Sequence, residues 1–231
     1  MDDGKTGYDP NPVNPLPPVV LVMFLALFGV EAVLAAGEAG WVGGPQAVGW
    51  RLALIEQFGF SPQHFDWMIE NRQYPGDILL RFVTYPFLHL GFLHMAIASV
   101  IFLAMGKLVG EVISHFAVPA IFFAASILGA LVYGGLLDEQ VWLVGAYPGA
   151  YGLIGGFTFI LWTRARATGA NQMQAFSLIA MLMGIQLVFG ALFGADRTWV
   201  AELTGFIAGF AMCFVLVPGA RAALLARMRQ R

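Results

Sequence analysis

Residues 145–156, GAYPGAYGLIGG, carry the feature of the sequence that decides the fold. Glycine and alanine recur through this stretch as they do in membrane helices whose backbones pack against a neighbouring helix. A Tyr147-Pro148 pair interrupts the run, and proline is tolerated in the opening turn of a helix. The stretch therefore predicts the start of a closely packed transmembrane helix with a bulky phenol in its first turn.

The composition of the chain is that of a membrane protein. Of its 231 residues, 59% are hydrophobic and 11% are charged, whereas a soluble domain carries roughly a quarter charged residues. A single cysteine excludes a disulfide within the chain and a multi-cysteine metal site. The net charge of −2 provides no basic surface for nucleic acid. We expect no metal, no cofactor and no nucleic-acid partner.

Six stretches are apolar enough to cross a bilayer, which needs about 20 residues per helix. They lie at about 16–36, 82–105, 116–137, 141–162, 174–194 and 199–217. The third and fourth are separated only by a tight acidic turn at 137–140. The sequence thus predicts an all-α, polytopic bundle of six transmembrane helices over residues 16–217, with a long external connection at 37–81.

Lysine and arginine in the short loops orient the bundle. Eight of these residues fall on the side that holds both termini and four on the opposite side, which predicts cytoplasmic termini. Residues 1–15 are expected to form a disordered cytoplasmic tail, and residues 218–231 a basic cytoplasmic tail at the lipid headgroups. The protein is expected in a bacterial-type inner membrane.

Part of the 37–81 connection is amphipathic and rich in aromatic residues. Its apolar residues are Val48, Trp50, Leu52, Leu54, Ile55 and Phe58. Two interpretations remain open, an interfacial helix in the outer leaflet or a loop that packs on its own domain. Glu31, near the outer end of the first span, is expected to reach the headgroup region.

Few ionisable groups fall within the predicted spans, where such groups usually mark function or a specific partner. His89 and His94 lie in the second span, about 140° apart on a helix, so we do not expect them to hold one ion together. Tyr147 and Glu202 lie near the outer ends of the fourth and sixth spans. All four are expected to meet in the outer half of the membrane, either bonded to one another or to backbone carbonyls, or hydrated from outside.

Three pairs of glycines show the four-residue spacing that lets membrane helices approach closely. These pairs are Gly145 with Gly149, Gly152 with Gly156, and Gly205 with Gly209. They fall on the fourth and sixth spans and predict that these two helices pack backbone to backbone.

Together these features resemble the rhomboid family of intramembrane serine proteases. In the second span His89, His94 and Gly106 match the pattern of the family's second helix, and Glu111 lies one residue later than usual. GAYPGAYGLIGG resembles the family's Gly-Ala-Ser-Gly-Ala nucleophile motif. AELTGFIAGF, residues 201–210, resembles the Ala-His-x-Gly-Gly motif of the sixth helix. The resemblance implies a six-helix rhomboid fold.

The sequence departs from the family at the residues that perform its chemistry. In the family, a serine on the fourth helix attacks the peptide carbonyl and a histidine on the sixth takes its proton. Tyr147 stands at the serine position, followed by Pro148, which lacks an N–H that the oxyanion would use. Glu202 stands at the histidine position, and Ala98 replaces the asparagine that helps bind the oxyanion. Of that oxyanion group only His94 remains.

The leading hypothesis is a proteolytically inactive rhomboid-like protein that binds transmembrane segments of partner proteins within the lipid bilayer; a variant is a fixed subunit of a stable membrane complex. Its binding and structural residues would be His89, His94, Tyr147, Pro148, Glu202, Gly149, Gly152, Gly205 and Gly209. A hydrogen bond between Tyr147 and Glu202 is expected in place of the catalytic dyad.

Two alternatives remain. The first is an intramembrane serine endopeptidase or hydrolase with rearranged chemistry, in which Tyr147 or Ser99 acts with His94 or Glu202. A phenol is mostly protonated at neutral pH, which makes Tyr147 a poor nucleophile. The second, ranked lowest, is a channel or transporter in which His89, His94 and Glu202 relay protons.

Overall fold

The computed structural model describes residues 15–137, 140–194, 197–217 and 219. Its α-helices are α1 Pro18–Glu38, α2 Trp50–Phe58, α3 Pro62–Asn71, α4 Gly76–Thr84, α5 Phe92–Val112, α6 Ala117–Leu136, α7 Tyr147–Thr168, α8 Ser177–Phe193 and α9 Trp199–Leu216. Shorter 3₁₀ helices span Gly44–Gly49, Tyr85–Phe87 and Gln172–Phe176. The two predicted tails lie almost wholly outside the described residues, as does the acidic pair of the 137–140 turn.

The all-α architecture is confirmed for the described residues. Five helical segments are long and apolar enough to cross a membrane, namely α1, α5, α6, the segment Gln172–Phe193 that contains α8, and α9. These segments agree with five of the six predicted spans. The remaining one, α7, contains four glycines and two arginines and is not among them, although it is the most enclosed helix of the bundle.

The core of the protein surrounds α7, which packs against α5, α6 and α9. Twelve residues of α7 are buried, so this helix presents almost no face to its surroundings through its first four turns. Phe102 of α5, Phe122 of α6 and Leu153 of α7 are fully buried in one apolar cluster. A helix that is enclosed on every side in this way positions the residues of its first turn rigidly.

The contact between α7 and α9 is made by backbone, as the glycine spacing predicts. A Cβ atom added to Gly205 would collide with the carbonyl oxygen of Pro148, and one added to Gly209 would collide with that of Gly152. Only glycine leaves room for carbonyl groups at this distance, so the two helices touch without intervening side chains.

Other glycines of the predicted pairs have their closest neighbours outside α9. A Cβ atom on Gly149 would meet the ring of Phe122 in α6 at 2.5 Å, so this glycine admits an aromatic ring of the third predicted span. Gly145 precedes α7 and has a φ of +99°, a conformation that favours glycine. Gly155, outside the predicted pairs, approaches the backbone of Phe206 in α9 instead.

The second predicted span begins at Phe92 rather than at residue 82. Residues 82–84 end α4, and the 3₁₀ turn that follows contains Pro86, which has no N–H with which to continue a helix. His89 therefore precedes α5, whereas His94 lies in its first turn. The expectation that the two histidines diverge by 140° along one helix is wrong.

The fourth predicted span likewise begins later, at Tyr147, and a longer connection replaces the tight turn after α6. Leu143 of this connection exchanges two backbone hydrogen bonds with Phe60, at 2.9 and 3.1 Å. The bridge fixes Leu143 beside Phe60, and Gly145, at a φ of +99°, precedes the first turn of α7. The start of α7 is therefore set by pairing with the distant residue Phe60, and the apolar content of the sequence does not reveal this pairing.

The 37–81 connection is largely helical. Helices α3 and α4 pack against α6, whereas the amphipathic residues from Val48 to Phe58 lie in the 3₁₀ helix Gly44–Gly49 and in α2. Helix α2 has no buried residue, and Leu52 is 63% exposed. An exposed apolar surface of this kind is what an interfacial helix would present.

Candidate functional site

A pocket of about 370 Å³ opens where the N-terminal ends of α5, α7 and α9 meet. Apolar residues from α2 and the 141–146 connection form part of its wall, including Leu52, Ile55 and Trp142. The polar residues that line it are His94, Tyr147, Thr198 and Glu202. Four of the predicted site residues, His94, Tyr147, Pro148 and Glu202, thus lie together at one end of the bundle.

Tyr147 lies against His94. Their rings stack with centroids 4.8 Å apart, and the Tyr147 hydroxyl donates a hydrogen bond to the carbonyl oxygen of His94 at 3.3 Å. The Nδ1 atom of His94 accepts from the backbone N–H of Leu90 at 3.3 Å. The phenol is therefore oriented by the main chain of α5 and does not donate to an imidazole nitrogen.

His89 fixes the start of α7. Its side chain is fully buried, and its Nε2 atom accepts a hydrogen bond from the backbone N–H of Ala146 at 3.3 Å. Its ring centroid lies 5.5 Å from that of His94. Burial, reinforced by the nearby His94 and Arg51, lowers the pKa of His89 to about 3. The ring is therefore neutral at neutral pH and remains a hydrogen-bond acceptor.

Arg51 joins α2 to α1 and to the segment before α5. Its guanidinium donates to both carboxylate oxygens of Glu31, at 2.8 and 2.9 Å, to Glu38 at 2.6 and 3.1 Å, and to the carbonyl oxygen of His89 at 2.6 Å. Hydrogen bonds to Glu31 and then to Glu38 raise the pKa of Arg51, which keeps it charged. Helix α2, whose Leu52 lines the pocket, is thereby held in place.

The expectation that Glu31 reaches the headgroup region is wrong. The residue is 1% exposed and forms a bidentate ion pair with Arg51. A buried carboxylate is stable only when it is paired, and the cation that pairs with Glu31 comes from the connection that follows α1.

The predicted hydrogen bond between Tyr147 and Glu202 is also wrong for the described residues. The Glu202 carboxylate accepts a hydrogen bond from the side-chain amide of Gln186 in α8 and interacts with the hydroxyl of Tyr151. Tyr147 is held instead by its stacking on His94. The two residues still line the same pocket.

Ala98, Pro148 and Ser99 complete the set of predicted residues. Ala98 is fully buried in the apolar core, and Pro148 is the second residue of α7 and lines the pocket. The hydroxyl of the buried Ser99 donates to the sulfur of Met95 at 3.2 Å. This hydrogen bond therefore does not join Ser99 to His94 or to Glu202. Among the described residues no cluster of three His, Cys, Asp or Glu side chains is arranged to hold a metal.

Sequence reasoning missed three residues that shape the site. Gln186 is a lone amide in the middle of an apolar span, a pattern that usually marks a specific contact. Tyr151 follows Tyr147 by one helical turn and so shares its face of α7. Arg51 is a basic residue within the apolar part of the 37–81 connection, and its partners could not be named without tertiary contacts.

The comparison with known families agrees with this geometry. The family model of the Rhomboid domain matches residues 77–219, more than half of the chain. The chain belongs to the rhomboid family. A comparison with curated proteins gives no significant match.

Family membership confirms the predicted resemblance and the prediction of a multi-pass membrane protein. The matched part of this rhomboid-family protein runs from α4 through α9 and contains every polar residue of the pocket. Helices α1 and α2 precede it, so the apolar wall formed by Leu52 and Ile55 is an addition from outside the matched region.

Proposed function

We propose that this rhomboid-family protein is proteolytically inactive and binds transmembrane segments of partner proteins. The observation that carries the proposal is the environment of Tyr147 at the nucleophile position. Its hydroxyl donates to the carbonyl oxygen of His94, which is a hydrogen-bond acceptor and not a proton acceptor at neutral pH. A nucleophile needs a base within hydrogen-bonding reach, and the orientation of this hydroxyl supports a structural role instead.

The other positions of the catalytic machinery support the same proposal. Glu202, at the histidine position, is engaged by Gln186 and Tyr151. Pro148 contributes no N–H to the first turn of α7, which weakens any oxyanion site there. Ala98 has no polar group, and it is buried in the core.

Partner binding is supported by what the scaffold retains. The pocket at the ends of α5, α7 and α9 has apolar walls and several polar groups, which suits a helix end with an irregular or polar residue. We further propose that α7 is the sixth span, that both termini are cytoplasmic and that the protein resides in a bacterial-type inner membrane, with either transient clients or a stable complex as its partners.

The proposal is tested with the full chain purified in lipid nanodiscs. We expect no labelling by a serine-directed fluorophosphonate probe, no cleavage of a model transmembrane substrate, and a partner that copurifies from native membranes. Loss of that partner in Tyr147→Ala or Glu202→Gln would locate the binding surface. Labelling or cleavage that disappears in Tyr147→Phe or Ser99→Ala would instead establish the hydrolase alternative.

A further inference from the structure

The Glu202 carboxylate is the acidic group in the lining of the pocket. The Glu202 side chain is 6% exposed and accepts from the Nε2 atom of Gln186. Gln186 itself is not among the residues that line the pocket, whereas the Glu202 carboxylate is. A carboxylate can accept about four hydrogen bonds, and the Thr198 hydroxyl lines the same pocket. This part of the site therefore suits a ligand with a cationic or hydrogen-bond-donating head that contacts the carboxylate.

The remaining wall of the pocket is apolar. Ile55, Trp142, Val144 and Pro148 line it, and the exposed Leu52 lies at its rim. A group that fills this space needs an apolar stem that contacts these side chains and a head that reaches Glu202. Lysine and arginine combine a long methylene stem with a cationic head that carries three and five N–H donors respectively.

The position of the pocket indicates where such a side chain comes from. It lies at the N-terminal ends of α5 and α9, which are long and apolar enough to cross a membrane. Lysine and arginine near the end of a transmembrane helix extend towards the interface. A carboxylate at this depth would pair with such a cation and reduce the cost of keeping it in the membrane.

We propose that the pocket receives a lysine or arginine side chain from a transmembrane segment of the bound partner, with its cationic head on the carboxylate of Glu202. The inference rests on the proposed partner-binding function and specifies the chemistry that is recognised. Charge complementary to the Glu202 carboxylate in the pocket lining distinguishes this occupant from a purely apolar one.

The test uses synthetic transmembrane peptides of about 20 leucine and alanine residues. They differ only at one position near the end that lies at the level of the pocket, which holds lysine, acetyl-lysine or norleucine. Binding to the full chain in nanodiscs is measured by fluorescence anisotropy. We expect the lysine peptide to bind about tenfold more tightly than the other two, since close charge pairs at interfaces commonly contribute this much or more.

Protein variants then locate the effect. Glu202→Gln keeps the size of the side chain and is expected to abolish the preference for lysine. Glu56→Gln removes the same charge from an exposed position of α2 and is expected to leave it unchanged. The acetyl-lysine peptide tests the charge even if Glu202→Gln fails to fold, because it leaves the protein unaltered.

The outcomes separate the two proposals. Equal binding of the three peptides, or a lysine preference that survives in Glu202→Gln, overturns the inference while partner binding stands. If none of the peptides binds, the proposed function is contradicted together with the inference.

Discussion

Helices α7 and α8 are consecutive long helices of the chain, but α7 is largely buried and α8 is largely exposed. Twelve residues of α7 are buried, from Pro148 to Ile160, whereas Ile179 is the buried residue of α8. Yet α8 belongs to a segment of mean hydropathy 2.2 of which only 6% is buried, and α7 is not apolar enough to be counted among the spans. In this bundle the highly apolar surface of α8 faces outwards, and the helix that positions the site lies at its centre.

The two helices are also held by different interactions. The α7–α9 contact depends on glycines that leave no space between the backbones. Helix α8 is held by the ring of Phe176, whose centroid lies 5.6 Å from that of Phe210, and by the hydrogen bond from Gln186 to Glu202. Segments with few buried contacts open at lower free-energy cost than the core. The difference between a rigid centre and a loosely attached helix can be tested by substitution.

The largest effect on stability is expected when a glycine is replaced by leucine in the α7–α9 contact, compared with the same replacement in α8. Gly209→Leu would place a side chain against the Gly152 carbonyl, where even a Cβ atom collides, and is expected to prevent folding of the bundle. Gly184→Leu in α8 meets nothing within 4 Å and is expected to alter stability by less than about 1 kcal/mol. Thermal unfolding in detergent would compare them, and similar losses of stability would contradict the contrast.

A smaller effect is expected at the charged contact between α1 and α2. Arg51→Gln leaves Glu31 buried without its cation and is expected to cost about 3 to 5 kcal/mol. Adding Glu31→Gln should recover much of this loss. Lys107→Gln breaks a more exposed pair with Glu111 at 3.9 Å and should cost less than about 1 kcal/mol. Chemical unfolding in detergent provides the measurement, and no recovery in the double variant would exclude the charge as the cause.

Acidification is expected to destabilise the end of the core that carries the site. The pKa of His89 is about 3 in the folded protein and about 6.5 in the unfolded chain. Stability is therefore complete above about pH 6.5 and declines as the pH falls towards 3, by about 2 kcal/mol at pH 5. Protonation would also set an N–H of the ring against that of Ala146. His89→Gln should flatten this pH profile, and His115→Gln, at an exposed position, should not. An unchanged profile in His89→Gln would assign the dependence to another group.

The smallest effect is expected at the polar contact of α8. Gln186→Leu removes the donor to Glu202 and should weaken the attachment of α8 by about 1 kcal/mol. Hydrogen exchange should then accelerate in α8 while that of α7 stays unchanged. Met181→Leu, at a position 56% exposed on the same helix, serves as the control. Equal acceleration in both helices would show that α8 is part of the rigid core.

Much of the fold could be predicted because helix periodicity and apolar length are local properties. The bounds of α1, α6 and α9 differ from the predicted spans by only a few residues, and the Gly205–Gly209 spacing identified the contact with α7. The starts of α5 and α7 could not be predicted, because the bridge between Phe60 and Leu143 and the break after Pro86 depend on how distant segments meet.

Part of the site was predictable as a set of residues, but its contacts were not. His94, Tyr147 and Glu202 lie in the first turns of helices that begin at the same end, so their proximity follows from topology. Which pairs form hydrogen bonds depends on the stacking of Tyr147 and on Gln186 of α8. No sequence spacing encodes these choices, and the predicted Tyr147–Glu202 bond failed for that reason.

The pairing of Glu31 with Arg51 has a consequence for biogenesis. Glu31 precedes Arg51 by 20 residues, so α1 is synthesised before the cation that neutralises its carboxylate. An unpaired acidic side chain opposes the partitioning of a helix into lipid by a few kcal/mol. The newly made α1, whose mean hydropathy of 2.6 favours insertion, therefore keeps this penalty until Arg51 of α2 arrives beside it. The ion pair thus couples the final stability of α1 in the membrane to the folding of α2.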